Sequence, residues 1–175
     1  MQLAAHWVAL HPIADPLHPQ ACFQSPKALA GEGSPPIDEF CIPDVATKLG
    51  MTCDSVGSYL TDVIELRYRL PHLWARVLSG HVTPWRARMI ARTTVGLTQE
   101  AASFVDEQTA WCANHLTPSQ PMRLVDHARA RFTPDQLAAE VEATADKRHV
   151  TFVTDQVSYD GTMHLEADLE VPDAL

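Results

Sequence analysis

From Pro43 onward the apolar residues recur at the spacing of a helix face. Val45, Ala46 and Leu49 open the run, and Gly50 follows them, a residue that takes the left-handed conformation ending a helix. A second helix starts after Thr52 or Asp54, with Val56, Leu60, Val63, Ile64 and Leu66 as its inward stripe. Pro71 stops it, because proline disfavours helical geometry in the residue before it. Thr83-Pro84, Thr117-Pro118 and Thr133-Pro134 each set a hydroxyl cap before a proline, whose missing N–H is no loss at the first helical position. Gln120 and Gln136 complete capping boxes. The inward stripes that follow are Trp85, Met89 and Ile90, then Ala101, Phe104, Val105, Gln108 and Cys112, then Leu124, Val125, Ala128 and Phe132, then Leu137, Val141 and Ala145. After Arg148 the period changes to two. Met163, Leu165, Ala167, Leu169 and Val171 alternate with Thr162, His164, Glu166, Asp168 and Glu170, which reads as a half-buried strand. Asp160-Gly161 is a hairpin turn, and Val150 to Val157 is the partner strand.

The first 36 residues differ. A short helix ending near Leu10 gives way to prolines at 12, 16, 19, 26, 35 and 36 and the tract Gly31-Glu32-Gly33-Ser34, a composition that favours extended, irregular chain. The pattern therefore predicts a mainly α (α+β) protein: residues 1–36 form a short helix and a Pro/Gly-rich arm, and residues 37–175 form a multi-helix bundle with a C-terminal antiparallel β-hairpin. A lone hairpin is marginal in water, so this one is expected to pack on the helices or to pair with further strands.

Composition narrows the class. With 175 residues, 46% hydrophobic and 20% charged, the chain can bury a real core. Cys22, Cys41, Cys53 and Cys112 form no CxxC pair, so neither a zinc knuckle nor a disulfide framework is written here. The apolar start MQLAAHWVALHP lacks a positive region and is interrupted by His6, unlike a signal peptide. No run approaches the roughly 20 apolar residues of a membrane helix, and a cytoplasmic setting without membrane partners is expected.

The net charge of −9 repels a phosphate backbone overall, but its distribution is uneven. Between Leu66 and Gln99 lie six arginines, Arg67, Arg69, Arg76, Arg86, Arg88 and Arg92, and no acid, so the remainder of the chain carries −15. Arg88 and Arg92 stand four apart on one helix face, which makes this stretch the candidate nucleic-acid-binding surface. The bland reading is that these cations complement helix C-termini or bind the acidic residues 135–175. The segment DVATKLGMTCDSVGSYL has the outline of a helix-turn-helix, yet its second helix would offer Thr52, Asp54, Ser55 and Ser58 to DNA, and Asp54 has the wrong charge.

No catalytic residue, metal site or cofactor is read from the sequence. The nine histidines include no HxxxH or HExxH pair, and His164, Glu166 and Asp168 on the polar face of the last strand read as a solvated face before a divalent-ion site. Nucleophile and phosphate-loop motifs are lacking. Trp7, Trp74, Trp85 and Trp111 fall in helical stripes and read as core rather than as stacking platforms.

The segments WVALHP (7–12), GEGSPPIDEF (31–40), LRYRLPHLWARVLSGHVTPWRARMIARTT (66–94) and KRHVTFVTDQVSYDGTMHLEADL (147–169) together resemble domain of unknown function 222, the 13E12 repeat family. The resemblance spans nearly the whole chain. It implies the N-terminal, mostly helical region of actinobacterial HNH endonuclease-like proteins, whose HNH histidines bind a metal that activates water against a phosphodiester. That HNH stretch is absent from these residues, so the resemblance implies a non-catalytic accessory or truncated module, with DNA as the partner. It assigns no role to the arginines. The alternatives are a module that binds itself or another protein through the hairpin, and a remnant of a mobile-element gene.

Overall fold

The computed structural model describes residues 1–15, 17, 19–145 and 149–168. Among them are eight α-helices and two two-stranded antiparallel sheets, so the protein is a mainly-α helical bundle with a C-terminal hairpin. The chain divides into two compact units, Met1–Phe132 and Thr133–Leu175. The proline-rich arm belongs to the first of them.

In the first unit α1 (Gln2–Leu10) is the short helix expected from the sequence. The arm that follows holds a small sheet, β1 (Pro26–Lys27) paired with β2 (Ile37–Asp38). α2 (Cys41–Leu49) ends at Gly50, whose φ of 64° is left-handed, and the Met51 N–H closes back on the Ala46 carbonyl at 3.0 Å. Thr52 caps α3 (Cys53–Tyr68), its hydroxyl accepting from the Ser55 N–H at 3.2 Å. All five residues of the expected inward stripe of α3 are buried, together with Asp62 and Glu65.

This double burial makes α3 the centre of the unit. Val56, Leu60 and Ile64 close one apolar cluster with Val8, Ile37, Ile42 and Val45 from α1, β2 and α2. Leu66 belongs to a second cluster, built from the helices that come after α3. These are α4 (Pro71–Leu78), α5 (Pro84–Thr94), α6 (Gln99–Thr109) and α7 (Ser119–Phe132). Seven of the fourteen buried residues in this second cluster are alanines, which let helix axes approach closely.

α4 has no counterpart in the predicted elements, although Pro71 stands at its first turn as it does in α5. The caps also differ in detail. Thr83 makes no side-chain cap of its own helix; its N–H and hydroxyl are both held by Asn114 Oδ1, at 3.0 and 3.3 Å. Of the Thr117 capping box the glutamine half is present, with the Thr117 N–H donating to Gln120 Oε1 at 2.7 Å.

The second unit contains α8 (Pro134–Ala145), β3 (His149–Val157) and β4 (Met163–Asp168). Val141, expected to face inward from α8, is exposed. β3 and β4 pair antiparallel with Phe152 opposite Leu165 and Val150 opposite Ala167, and among the described residues they pair with no further strand. At the tip Gly161 has φ 83°, and Asp160 Oδ1 accepts from the Thr162 N–H and hydroxyl at 3.1 and 2.8 Å. These bonds hold the Asp160 carboxyl below its ordinary range. Leu169, Glu170, Val171, Lys147 and Arg148 lie outside the described residues.

Candidate nucleic-acid interface

Two carboxylates on α3, Asp62 and Glu65, sort the arginines. Glu65 takes Arg69, one turn further along the same helix, in an ion pair of 2.6 Å with both side chains fully buried. Arg69 also donates from Nε to Gln99 Oε1 at 3.2 Å, from Nη1 to the Thr94 carbonyl at 3.1 Å, and from Nη2 to the Leu97 carbonyl. Glu65 in turn accepts from the Thr94 hydroxyl at 2.8 Å and from the Gly31 N–H at 3.0 Å. A charge buried this completely persists only with a counter-charge and acceptors around it, and here each of the three guanidinium nitrogens has an acceptor. With no exposure, Arg69 cannot reach a ligand, which removes it from the candidate surface.

Asp62 takes Arg88 and Arg92 from α5. Arg88 Nε donates to Asp62 Oδ2 at 2.7 Å, and its guanidinium lies over the Tyr59 ring at 4.8 Å. Arg92 contacts both oxygens of Asp62, with Nη2 at 3.1 Å from Oδ2. The hydrogen bond and charge of Asp62 push Arg92 further above its already high value, so it stays cationic. Burial pushes the Tyr59 hydroxyl up, while the Arg88 charge opposes the shift. Arg92 remains 58% exposed and Arg88 28% exposed, so one carboxylate anchors two cations without covering them.

The orientation of α5 corrects the sequence reading. Ala87, Ile90, Ala91 and Thr94 face inward and Met89 is half-buried against the same core, as expected, whereas Trp85, Arg88 and Arg92 turn outward; these three line with Met89 a depression of about 380 Å³. Trp85 was expected in the core and is 58% exposed; Trp111, just beyond α6, is 72% exposed. Small residues at 87 and 91 let α5 pack closely, which turns the bulkier ring away. Arg86 stacks on Trp85 at 4.1 Å and donates to the Leu116 carbonyl.

The other two candidates lie apart from this stripe in the chain. Arg67 is exposed at the end of α3, its guanidinium 5.6 Å from the Tyr68 ring centre. Arg76 on α4 is half-buried, its Nε without an acceptor among the described residues, beside His72, Glu107 and Trp111 of another depression, of about 450 Å³. The stretch of six is thus one buried structural residue, three on the outward side of α5, and two elsewhere.

α2 and α3 do form a helix-turn-helix outline, and Cys53, Asp54, Ser55 and Ser58 are exposed at its second helix. The arm lies beside that helix start: Lys27, Leu29 and Phe40 line with Cys53, Asp54 and Ser58 a depression of about 550 Å³, and Lys27 pairs with Glu39 at 2.8 Å. The free thiol of Cys41 is buried, and burial pushes it up to about 11. Among the described residues no three His, Cys, Asp or Glu side chains converge as a metal site requires, and no helix is long and apolar enough to cross a membrane. His164 and Glu166 are exposed on β4; the Asp168 side chain lies outside the described residues.

No family model, no curated protein and no solved structure matches the chain.

Proposed function

We propose that this chain is a non-catalytic accessory module of an HNH endonuclease-like protein, akin to domain of unknown function 222, that associates with nucleic acid through the outward face of α5. The observation that carries the reading is the stripe itself: Trp85, Arg88, Met89 and Arg92 at helical spacing, with Arg86 stacked beside them. Three guanidiniums share this side of α5 and one carboxylate, Asp62, is bonded to two of them, so the group keeps a positive balance inside an acidic protein. Guanidinium donors suit phosphate oxygens, and such contacts hold a polynucleotide without reading its sequence.

The test is binding of labelled DNA and labelled RNA as a function of salt. Removing the arginines alone would leave Asp62 buried and unpaired, so the variant carries Asp62→Asn with Arg88→Gln and Arg92→Gln. Wild type is expected to bind with a log–log salt slope of about −2, as two phosphate contacts require, and the triple variant to bind weakly with a flatter slope. Absent binding, or equal binding by the variant, rejects the proposal.

A second reading has its own observation. Val150, Phe152 and Leu165 share one face of the hairpin and are exposed, Phe152 by 62%, an apolar face that suits a protein partner or a second copy. Light scattering over a range of concentrations tests self-association. A strict monomer, or an association that Phe152→Thr leaves unchanged, rejects it.

A further inference from the structure

We infer that the outward face of α5 takes a single-stranded polynucleotide, with one unstacked base lying on the ring of Trp85. The inference rests on the nucleic-acid reading above and names its substrate. Two features of α5 separate a single strand from a duplex.

The first is that polar groups at the start of α5 are already bonded within the protein. A helix that reads a duplex groove leads with its N-terminal residues. Here the Thr83 N–H and hydroxyl, though exposed, are bound by Asn114, and Arg86, in the first turn, is tied to the Leu116 carbonyl, so polar groups that a groove-reading helix would lead with already have partners. α5 therefore presents its side.

The second is what that side carries. The Arg86 guanidinium lies over the Trp85 ring at 4.1 Å, and the residue is nevertheless 58% exposed. Arg86 is itself held by the Leu116 carbonyl, so ring and guanidinium are ordered before any ligand arrives. An open aromatic face stacks on a base only when that base has left its own stack, which a duplex forbids and a single strand allows. Arg88 uses only Nε on Asp62, and its two terminal nitrogens have no acceptor among the described residues; Arg92 keeps Nη1 in the same state. These are the donors for the phosphates flanking the stacked base. From Trp85 to Arg92 the stripe runs about 10 Å at the helical rise, enough for two or three nucleotides.

The experiment uses the full chain and fluorescence anisotropy with three labelled probes: a short oligothymidylate, an oligouridylate of equal length, and a linear blunt-ended duplex. Wild type is expected to bind a single strand more tightly than the duplex, and the tighter of the two single strands names the natural class. Trp85→Ala is expected to weaken single-strand binding about tenfold, and Trp85→Phe to retain most of it. A wild-type preference for duplex overturns the inference without any variant. Equal single-strand binding by a folded Trp85→Ala protein also overturns it. In both cases the proposed function stands; failure to bind any of the three probes removes that function as well.

Discussion

Among the described residues Arg69 is the largest side chain with no exposure, and its environment is specific enough to predict what substitutions do. Its three guanidinium nitrogens are held by Glu65, Gln99 and the carbonyls of Thr94 and Leu97, so truncation to Leu leaves the buried Glu65 carboxylate without its cation and the Leu97 carbonyl without this donor. Arg69→Leu is expected to cost about 3–5 kcal/mol in urea denaturation. Gly31 backs directly onto this guanidinium. A Cβ there would stand 1.8 Å from Arg69 Nη1 and 2.4 Å from the Val95 carbonyl oxygen, and neither can yield, one being bonded on every side and the other backbone. Gly31→Ala is expected to lower stability by about 3 kcal/mol, with a parallel loss of the Gly31 N–H bond to Glu65. By contrast Trp85→Ala, on an exposed ring, should leave the denaturation midpoint within about 0.5 kcal/mol of wild type.

At the scale of elements, α4 owes its start to a residue far along the chain. Leu70 at its N-cap offers no side-chain acceptor. The carboxylate of Asp106 on α6 does the work instead, Oδ1 accepting from the Leu73 N–H and Oδ2 from the His72 N–H, both at 2.8 Å. Asp106→Ala is expected to cost about 2 kcal/mol and to loosen α4 first, which amide exchange at His72 and Leu73 would register. Burial pushes the Asp106 carboxyl above its ordinary value, outweighing the bonds that lower it. The folded state therefore keeps this proton to higher pH than the unfolded chain does. The sign follows: this component of stability declines as pH rises from the usual carboxylate range through the folded pKa, then levels off. Thermal midpoints measured across that interval should show the decline in wild type and lose it in Asp106→Asn.

The whole molecule is two compact units, and the boundary after Phe132 predicts their independence. A protein of residues 1–132 is expected to melt cooperatively at the midpoint of the same unit in the full chain, because both apolar clusters lie within it. Scanning calorimetry checks this; a fragment that fails to melt cooperatively would show that residues 133–175 are required. In the second unit Phe152 and Leu165 are exposed on paired strands, and a two-stranded hairpin by itself is marginal in water.

What the amino-acid sequence determined alone is what local chemistry decides. The stop at Gly50, the cap at Thr52, the inward stripe of α3, the short first helix and the Asp160-Gly161 turn each depend on residues a few positions apart, and each was legible. The six arginines were legible as a charge cluster but not as a site. Which of them is buried, which is anchored and which is open depends on Glu65, Asp62 and the Leu116 carbonyl, two of which lie about 30 residues from the side chain they hold. The outward turn of Trp85 had a faint signal, its i, i+3, i+4, i+7 spacing with Arg88, Met89 and Arg92, but the opposite stripe of small residues decided the matter. Hydrophobicity ranks Trp above Ala, whereas close helix packing ranks them the other way, and only the tertiary structure says which ranking rules at a given face.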